Sequence, residues 1–155
     1  MVSTDFRERV IAAFPAADPP VKVVSDLARE IHDDADLMAS ALKGHPWTVL
    51  PKQTLDARAK DIVALTVPAF IYYIPAFITA AAEDPISESA TYVMYALCPL
   101  GNFSAFYEHT CALFTPKQAA VVAELLESLE KDPGFAVFKE EMKPGLVLWR
   151  RRARP

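Results

Sequence analysis

The side chains best suited to metal chemistry lie on one predicted helix. His32, Asp33 and Asp36 supply an imidazole and two carboxylates, and His32 and Asp36 are one helical turn apart on the same face. Imidazole and carboxylate groups are both ligands of divalent ions. A metal site needs converging ligands from elsewhere in the fold, however. We therefore hold two hypotheses, a metal-binding protein or hydrolase and a solvated acidic helix face, and the pattern favours the second.

A second group of reactive side chains occurs in the segment Glu108–Cys111, which brings together an acid, an imidazole and a thiol. A catalytic Cys–His pair is normally assembled from separate parts of a fold, and residues two apart on a helix point in different directions. The pattern favours a buried Cys111 and a polar surface His109, although His109 is also a further candidate ligand for the metal hypothesis. The familiar catalytic and nucleotide-binding motifs are absent. The sequence predicts no catalytic residue and no cofactor.

Aromatic residues are the remaining candidates for binding a ligand or a partner. Trp47, Tyr72, Tyr73 and Tyr95 combine an apolar ring with a polar atom, which suits amphipathic ligands. The alternative is that these rings pack in the core with the polar atom reaching the surface. The sequence alone favours packing.

Composition predicts a single all-α domain of about six to eight short helices. The chain has 155 residues, of which 52% are hydrophobic, and it contains 4 glycines but 13 prolines. Few glycines and many prolines suit short helices with proline stops better than a sheet with glycine turns. We expect residues 1–24 to form an N-terminal helix and an extended connector, and residues 150–155 to form a basic tail.

The charge distribution argues against nucleic-acid binding. Four of the 16 basic residues lie in the last six positions, which leaves 12 basic against 20 acidic residues in the body. Contacts to phosphate need a basic face, so an acidic body favours a basic protein as partner. Two cysteines are too few for a disulfide framework, and the N-terminus lacks the pattern of a signal peptide. We expect a cytoplasmic protein with reduced thiols.

The longest apolar run, Ile62–Ala82, is long enough to cross a bilayer as a helix. Pro68 and Pro75 interrupt it, the acidic pair Glu83–Asp84 follows it, and a strongly basic flank is missing. The run therefore predicts a buried centre made of two short helices or one kinked helix. A membrane anchor remains the alternative hypothesis.

Capping residues and prolines predict where the other helices begin and end. Ser25 caps a helix from Asp26 to Lys43, whose apolar stripe consists of Leu27, Ile31, Ala35, Met38 and Leu42. Thr115–Gln118 combines a cap, a first-position proline and a capping-box glutamine. The other predicted limits are starts at Ser3 or Thr4, near Pro51, at Thr66–Pro68 and at Asp84–Pro85, and stops at Phe14, Pro99–Gly101, Asp132–Gly134 and Pro144–Gly145. The helix that starts at Asp84–Pro85 is expected to have an apolar stripe of Ile86, Ala90, Val93 and Leu97.

One set of residues forms a spaced pattern along the chain: Trp47, Leu65–Thr66, Ala69–Phe70, Tyr72–Phe77, Phe114–Thr115, Gln118 and Trp149. In this pattern the chain resembles a family of small bacterial proteins of unassigned function. The resemblance extends over roughly residues 44–149, and Ile74 departs from it because leucine is usual at that position. It implies an α-helical, cytoplasmic bacterial protein and brings no activity and no catalytic residues.

The sequence as a whole predicts a soluble, non-catalytic protein-interaction module, of an accessory or immunity type that acts by occlusion. The expected partner is another protein, and neither nucleic acid nor a membrane is expected. The oligomeric state stays open.

Overall fold

A computed structural model describes residues 4–98 and 104–155, and these residues form nine α-helices with no strand. The predicted all-α fold in one compact arrangement is confirmed. The number of helices exceeds the predicted six to eight. The α-helices are α1 (Thr4–Ala13), α2 (Asp26–Ile31), α3 (Ala35–Leu42), α4 (Lys52–Arg58), α5 (Val67–Glu83), α6 (Glu88–Leu97), α7 (Ser104–Ala112), α8 (Pro116–Lys131) and α9 (Lys139–Arg152), and 3₁₀-helices cover Trp47–Val49, Ala59–Ala64 and Pro133–Phe138.

The predicted buried centre is α5. Thr66 caps it by accepting a hydrogen bond from the Ala69 amide, and Pro68 lies in its first turn. The apolar run is broken before α5, because Ala59–Ala64 is a 3₁₀-helix and Leu65 is extended. Pro75 lies inside α5, which continues through it as one helix rather than two. Tyr73, Ile74 and Phe77 are fully buried, and α5 packs on α1, α4, α6 and α8.

The break before α5 also bears on the membrane hypothesis. Within residues 4–98 and 104–155, no helix has both the length and the apolarity that a bilayer crossing requires.

The helix predicted from Asp26 to Lys43 is wrong, because the chain forms two helices there. His32 is extended after α2, and α3 begins only at Ala35. Aspartate is a poor helix former, and an acid at the end of a helix opposes the helix dipole, so Asp33 and Asp34 favour a break. The predicted stripe is buried only in its second half, at Ala35, Met38 and Leu42.

The predicted start of the next helix at Asp84–Pro85 is also wrong. Ser87 is the cap of α6 and accepts from the Ala90 amide, and Ile86 is exposed rather than part of the apolar stripe. Asp84 instead pairs with Lys52 of α4, 3.2 Å away. The other predicted members of that stripe, Ala90, Val93 and Leu97, are buried.

The capping box of α8 is confirmed. The backbone N–H of Gln118 donates to Thr115 Oγ1 (3.2 Å), and the backbone N–H of Thr115 donates to Gln118 Oε1 (3.0 Å). The helix ends at Lys131, as predicted from Asp132–Gly134. The stop at Phe14 is confirmed as well, because α1 ends at Ala13. The connector that follows contains no helix before α2, and Val24 in it forms an isolated antiparallel bridge with Leu65. The predicted limits at Ser3 and at Pro99–Gly101 lie outside the described residues.

The predicted break at Pro144–Gly145 does not occur, because α9 continues through both residues. Gly145 lies against Cys98, and a Cβ atom at this position would be 2.8 Å from Cys98 Sγ and 3.2 Å from its Cα. Trp149 is fully buried, and its indole donates to the Leu97 carbonyl (2.7 Å). The second half of α9 therefore packs closely on the segment around Leu97 and Cys98.

The basic tail is partly folded, since α9 extends to Arg152. Arg150 pairs with Glu127 of α8 at 2.7 Å. Arg152 donates to the carbonyls of Ala112 and Phe114 at the end of α7, where a cation is favoured by the helix dipole.

Candidate functional site

The residues of the metal hypothesis are not brought together as a ligand set. His32 and Asp33 lie in the turn between α2 and α3, and Asp36 pairs with Arg29 (3.3 Å). His109 is exposed on α7. Among the described residues, no group of three or more His, Cys, Asp or Glu side chains could hold a metal ion.

The Cys–His hypothesis receives no support from the state of the thiol. Cys111 is buried, and burial raises its pKa to about 12. The thiolate is the nucleophilic form of cysteine, so this side chain stays in its unreactive form near neutral pH. Burial raises the pKa of Cys98 to about 12 as well.

Two of the four aromatic candidates, Tyr72 and Tyr73, use their hydroxyl groups to bind backbone carbonyls elsewhere in the chain. Tyr73 is fully buried, and its hydroxyl lies 2.7 Å from the Leu42 carbonyl and 3.1 Å from the His45 carbonyl. Burial raises the pKa of Tyr73 to about 12. Tyr72 is half-buried and donates to the Ala17 carbonyl (3.0 Å). Both hydroxyls hold connecting segments against α5.

Tyr95 lies on a different part of the surface. It is exposed on α6, and its ring packs edge-on against Phe138, with 5.8 Å between the ring centroids. The ring of Tyr92 lies 6.3 Å away on the same helix. Tyr95 therefore belongs to an aromatic surface cluster rather than to a pocket shared with the other three candidates.

Trp47 is the candidate that lines a cavity. The 3₁₀-helix Trp47–Val49 lies beside a half-open cleft of about 170 Å³, which we call the Trp47 cleft. Its buried apolar walls come from Trp47, Leu55, Ala76 and Ala80. Its other lining residues are Arg7, Ile11, Thr48, Leu50, Lys52, Thr79 and Glu83.

The charged side chains of the Trp47 cleft come from three helices. Arg7 of α1 and Glu83 of α5 are exposed, and their closest charged atoms are 3.7 Å apart. Lys52 of α4 contacts both Asp56 (2.5 Å) and Asp84 (3.2 Å). Sequence reasoning missed this group, because residues 7, 52 and 83 converge only through the packing of α1, α4 and α5.

A buried ion pair is a further feature that sequence reasoning missed. Asp61 is 4% exposed in the 3₁₀-helix Ala59–Ala64, and its Oδ2 lies 3.2 Å from Arg58 Nη1. Neither atom makes a well-aligned hydrogen bond within the described part of the chain. Burial raises the pKa of Asp61, while Arg58 opposes the shift. On the nearby surface Asp34 pairs with Lys60 at 2.8 Å, which lowers the pKa of Asp34.

The short helix α2 presents apolar side chains to solvent. Leu27 and Ile31 are 64% and 68% exposed, and they lie one turn apart. Asp26, Glu30 and Asp33 are exposed on or beside the same helix. We call these five residues the α2 face. The face joins two large apolar groups to three carboxylates, which is a combination used in partner binding.

Searches of protein-family models, curated proteins and solved structures find no match to this chain. The resemblance to a bacterial family therefore stays a prediction based on the motif residues.

Proposed function

We propose that this chain is a non-catalytic protein-interaction module and that the α2 face binds a basic, amphipathic segment of a partner protein. The observation that carries the proposal is the exposure of Leu27 and Ile31 on a helix whose only buried residue is Ala28. A six-residue helix is too short to be stable by its own propensity. Its sequence nevertheless places two large apolar groups where they contribute no core packing.

The charges around the two apolar groups indicate the kind of partner. Asp26 and Glu30 are exposed on the same helix as Leu27 and Ile31, and Asp33 is exposed just after it. Lys22 pairs with Asp26 at 2.9 Å, so Glu30 and Asp33 are the carboxylates left for a partner, and the body of the protein carries a net negative charge. Complementary charge steers association and selects partners. A partner segment with apolar side chains at helical spacing and flanking lysines or arginines fits this face. Such a module can act in the cytoplasm as an accessory or immunity-type protein that occludes a basic surface.

The direct test is titration of the protein with a designed helical peptide that carries leucines at i and i+4 and lysines on either side. We expect saturable binding by fluorescence anisotropy, weakened by added salt because the attraction is partly electrostatic. A peptide with glutamates in place of the lysines should bind at least about tenfold more weakly.

Two variants with matched substitutions locate the binding. Leu27→Ser combined with Ile31→Ser should abolish binding of the lysine peptide. Ile86→Ser combined with Val137→Ser also removes two exposed apolar groups, but it lies outside the α2 face and should leave binding unchanged. Equal loss in both double variants, or no loss in either, would reject the proposed face. Concentration-dependent dimerisation that the α2 variant abolishes would instead identify a second copy as the occupant.

A further inference from the structure

The Trp47 cleft is small and has walls of two kinds. Its volume is about 170 Å³, which is below the range of about 300–1,000 Å³ typical of pockets for drug-sized ligands. Trp47, Leu55 and Ala76 provide buried apolar surface, while Arg7 and Glu83 provide one charge of each sign. An apolar pocket with a few convergent polar groups is the usual form of a small-molecule site.

Arg7 and Glu83 form an exposed ion pair with each other at the edge of the cleft, and a ligand that pairs with both charges would replace this contact. Their 3.7 Å separation exceeds the range of a hydrogen bond, and neither has another charged contact among the described residues. Lys52 differs, because Asp56 and Asp84 already contact its ammonium group. The cleft therefore offers one guanidinium and one carboxylate, held on α1 and α5, beside an apolar wall.

We propose that the Trp47 cleft binds a free α-amino acid with an apolar side chain. In such a molecule a single carbon atom separates the ammonium from the carboxylate, which matches a pair of protein charges 3.7 Å apart. The carboxylate pairs with Arg7, where a guanidinium can form two parallel hydrogen bonds. The ammonium pairs with Glu83, and the apolar side chain contacts Trp47, Leu55 and Ala76. This inference is independent of the α2 face.

The two tryptophans of the chain provide a specific readout. The indole of Trp47 lines the cleft, whereas Trp149 is buried and its indole donates to the Leu97 carbonyl. In a ¹⁵N-labelled protein titrated with leucine or phenylalanine, the indole N–H signal of Trp47 should move with saturation. The signal of Trp149 should stay in place.

Ligand analogues test each half of the recognition. Phenethylamine lacks the carboxylate of phenylalanine, and 3-phenylpropionate lacks its ammonium. Each should bind at least about tenfold more weakly than phenylalanine, because one charged hydrogen-bonded contact is lost. Equal binding of either analogue would reject recognition of a zwitterion.

Variants with matched charge changes test the residues. Arg7→Gln and Glu83→Gln should each lower the affinity for phenylalanine at least about tenfold. Arg150→Gln and Glu127→Gln break an exposed pair on α9 and α8 and should leave the affinity unchanged. Leu27→Ser with Ile31→Ser should also leave it unchanged, so failure of the cleft and failure of the α2 face are distinguishable. No saturable movement of the Trp47 signal with any apolar amino acid, or equal affinity in Arg7→Gln, would overturn the proposal.

Discussion

The helices α5 and α2 both carry large apolar side chains, but those of α5 are mostly buried and those of α2 are mostly exposed. Ten residues of α5 are buried, whereas α2 buries only Ala28. Four α-helices and the 3₁₀-helix Trp47–Val49 pack on α5, while α2 packs mainly on α3 and the 3₁₀-helix Ala59–Ala64. Apolar spacing therefore shows which side chains share a face of a helix, but not whether the protein covers that face.

The largest expected effect concerns Phe77, at the fully buried centre of α5. Phe77→Ala should lower the free energy of unfolding by about 3–5 kcal/mol, because it removes a large ring and leaves a cavity. Urea unfolding followed by circular dichroism measures the change. Ile86→Ala, at an exposed apolar residue, serves as the control and should change stability by less than about 0.5 kcal/mol. Similar losses in both variants would mean that α5 is no better packed than the surface.

The features of the fold that depend on interactions within a few residues of the sequence were predictable. The Thr66 cap with Pro68, and the capping box at Thr115 and Gln118, involve atoms within a few residues, and both are confirmed. The continuity of α9 through Pro144 was not predictable, because it depends on the contact of Gly145 with Cys98. These two residues are distant in sequence.

The candidate sites were less predictable than the helices. Trp47 was identified from its residue type, but Arg7 and Glu83 join it only through the packing of α1 on α5. Asp61 follows Lys60 in the sequence and resembles a surface acid, yet it is buried in the 3₁₀-helix Ala59–Ala64. The exposure of Leu27 was missed because its spacing with Ile31, Ala35 and Met38 fits a single covered stripe.

On α9, the covered face includes Gly145, which lies in close contact with Cys98. Gly145→Ala improves helix propensity by up to about 1 kcal/mol, but its Cβ would lie 2.8 Å from Cys98 Sγ. Overpacking typically costs about 1–3 kcal/mol, so we expect a net loss of about 1 kcal/mol in urea unfolding. Val147→Ala, at an exposed position of α9, tests the helix without touching this contact. A more stable Gly145→Ala variant would show that the contact between residue 145 and Cys98 accommodates an added methyl group at no cost.

The buried carboxyl of Asp61 makes the stability of the protein depend on pH, and this dependence can be compared between wild type and Asp61→Asn. Burial raises its pKa in the folded state, so the folded protein binds a proton at this carboxyl more tightly than the unfolded chain. The resulting stabilisation is complete below the unfolded pKa near 4 and is lost as the pH rises through the raised folded pKa. Wild type should therefore gain stability relative to Asp61→Asn as the pH falls from about 7 to about 4.

Urea unfolding of both proteins at both pH values isolates the contribution of Asp61, since the other carboxyl groups are common to the two proteins. We expect a modest change, because the guanidinium of Arg58 opposes the effect of burial. A relative loss of wild-type stability at the lower pH would mean that the pair with Arg58 dominates.

The smallest expected effect on stability belongs to the α2 face. Leu27→Ser combined with Ile31→Ser should change the free energy of unfolding by less than about 0.5 kcal/mol, as is usual for exposed positions, because both side chains are mostly in solvent. The same double variant should abolish binding of the lysine peptide. Loss of binding without loss of stability is the result expected where the two apolar groups contact a partner instead of the core. A stability loss of several kcal/mol would place Leu27 and Ile31 in the core beside the residues of α5, and the distinction between the two helices would fail.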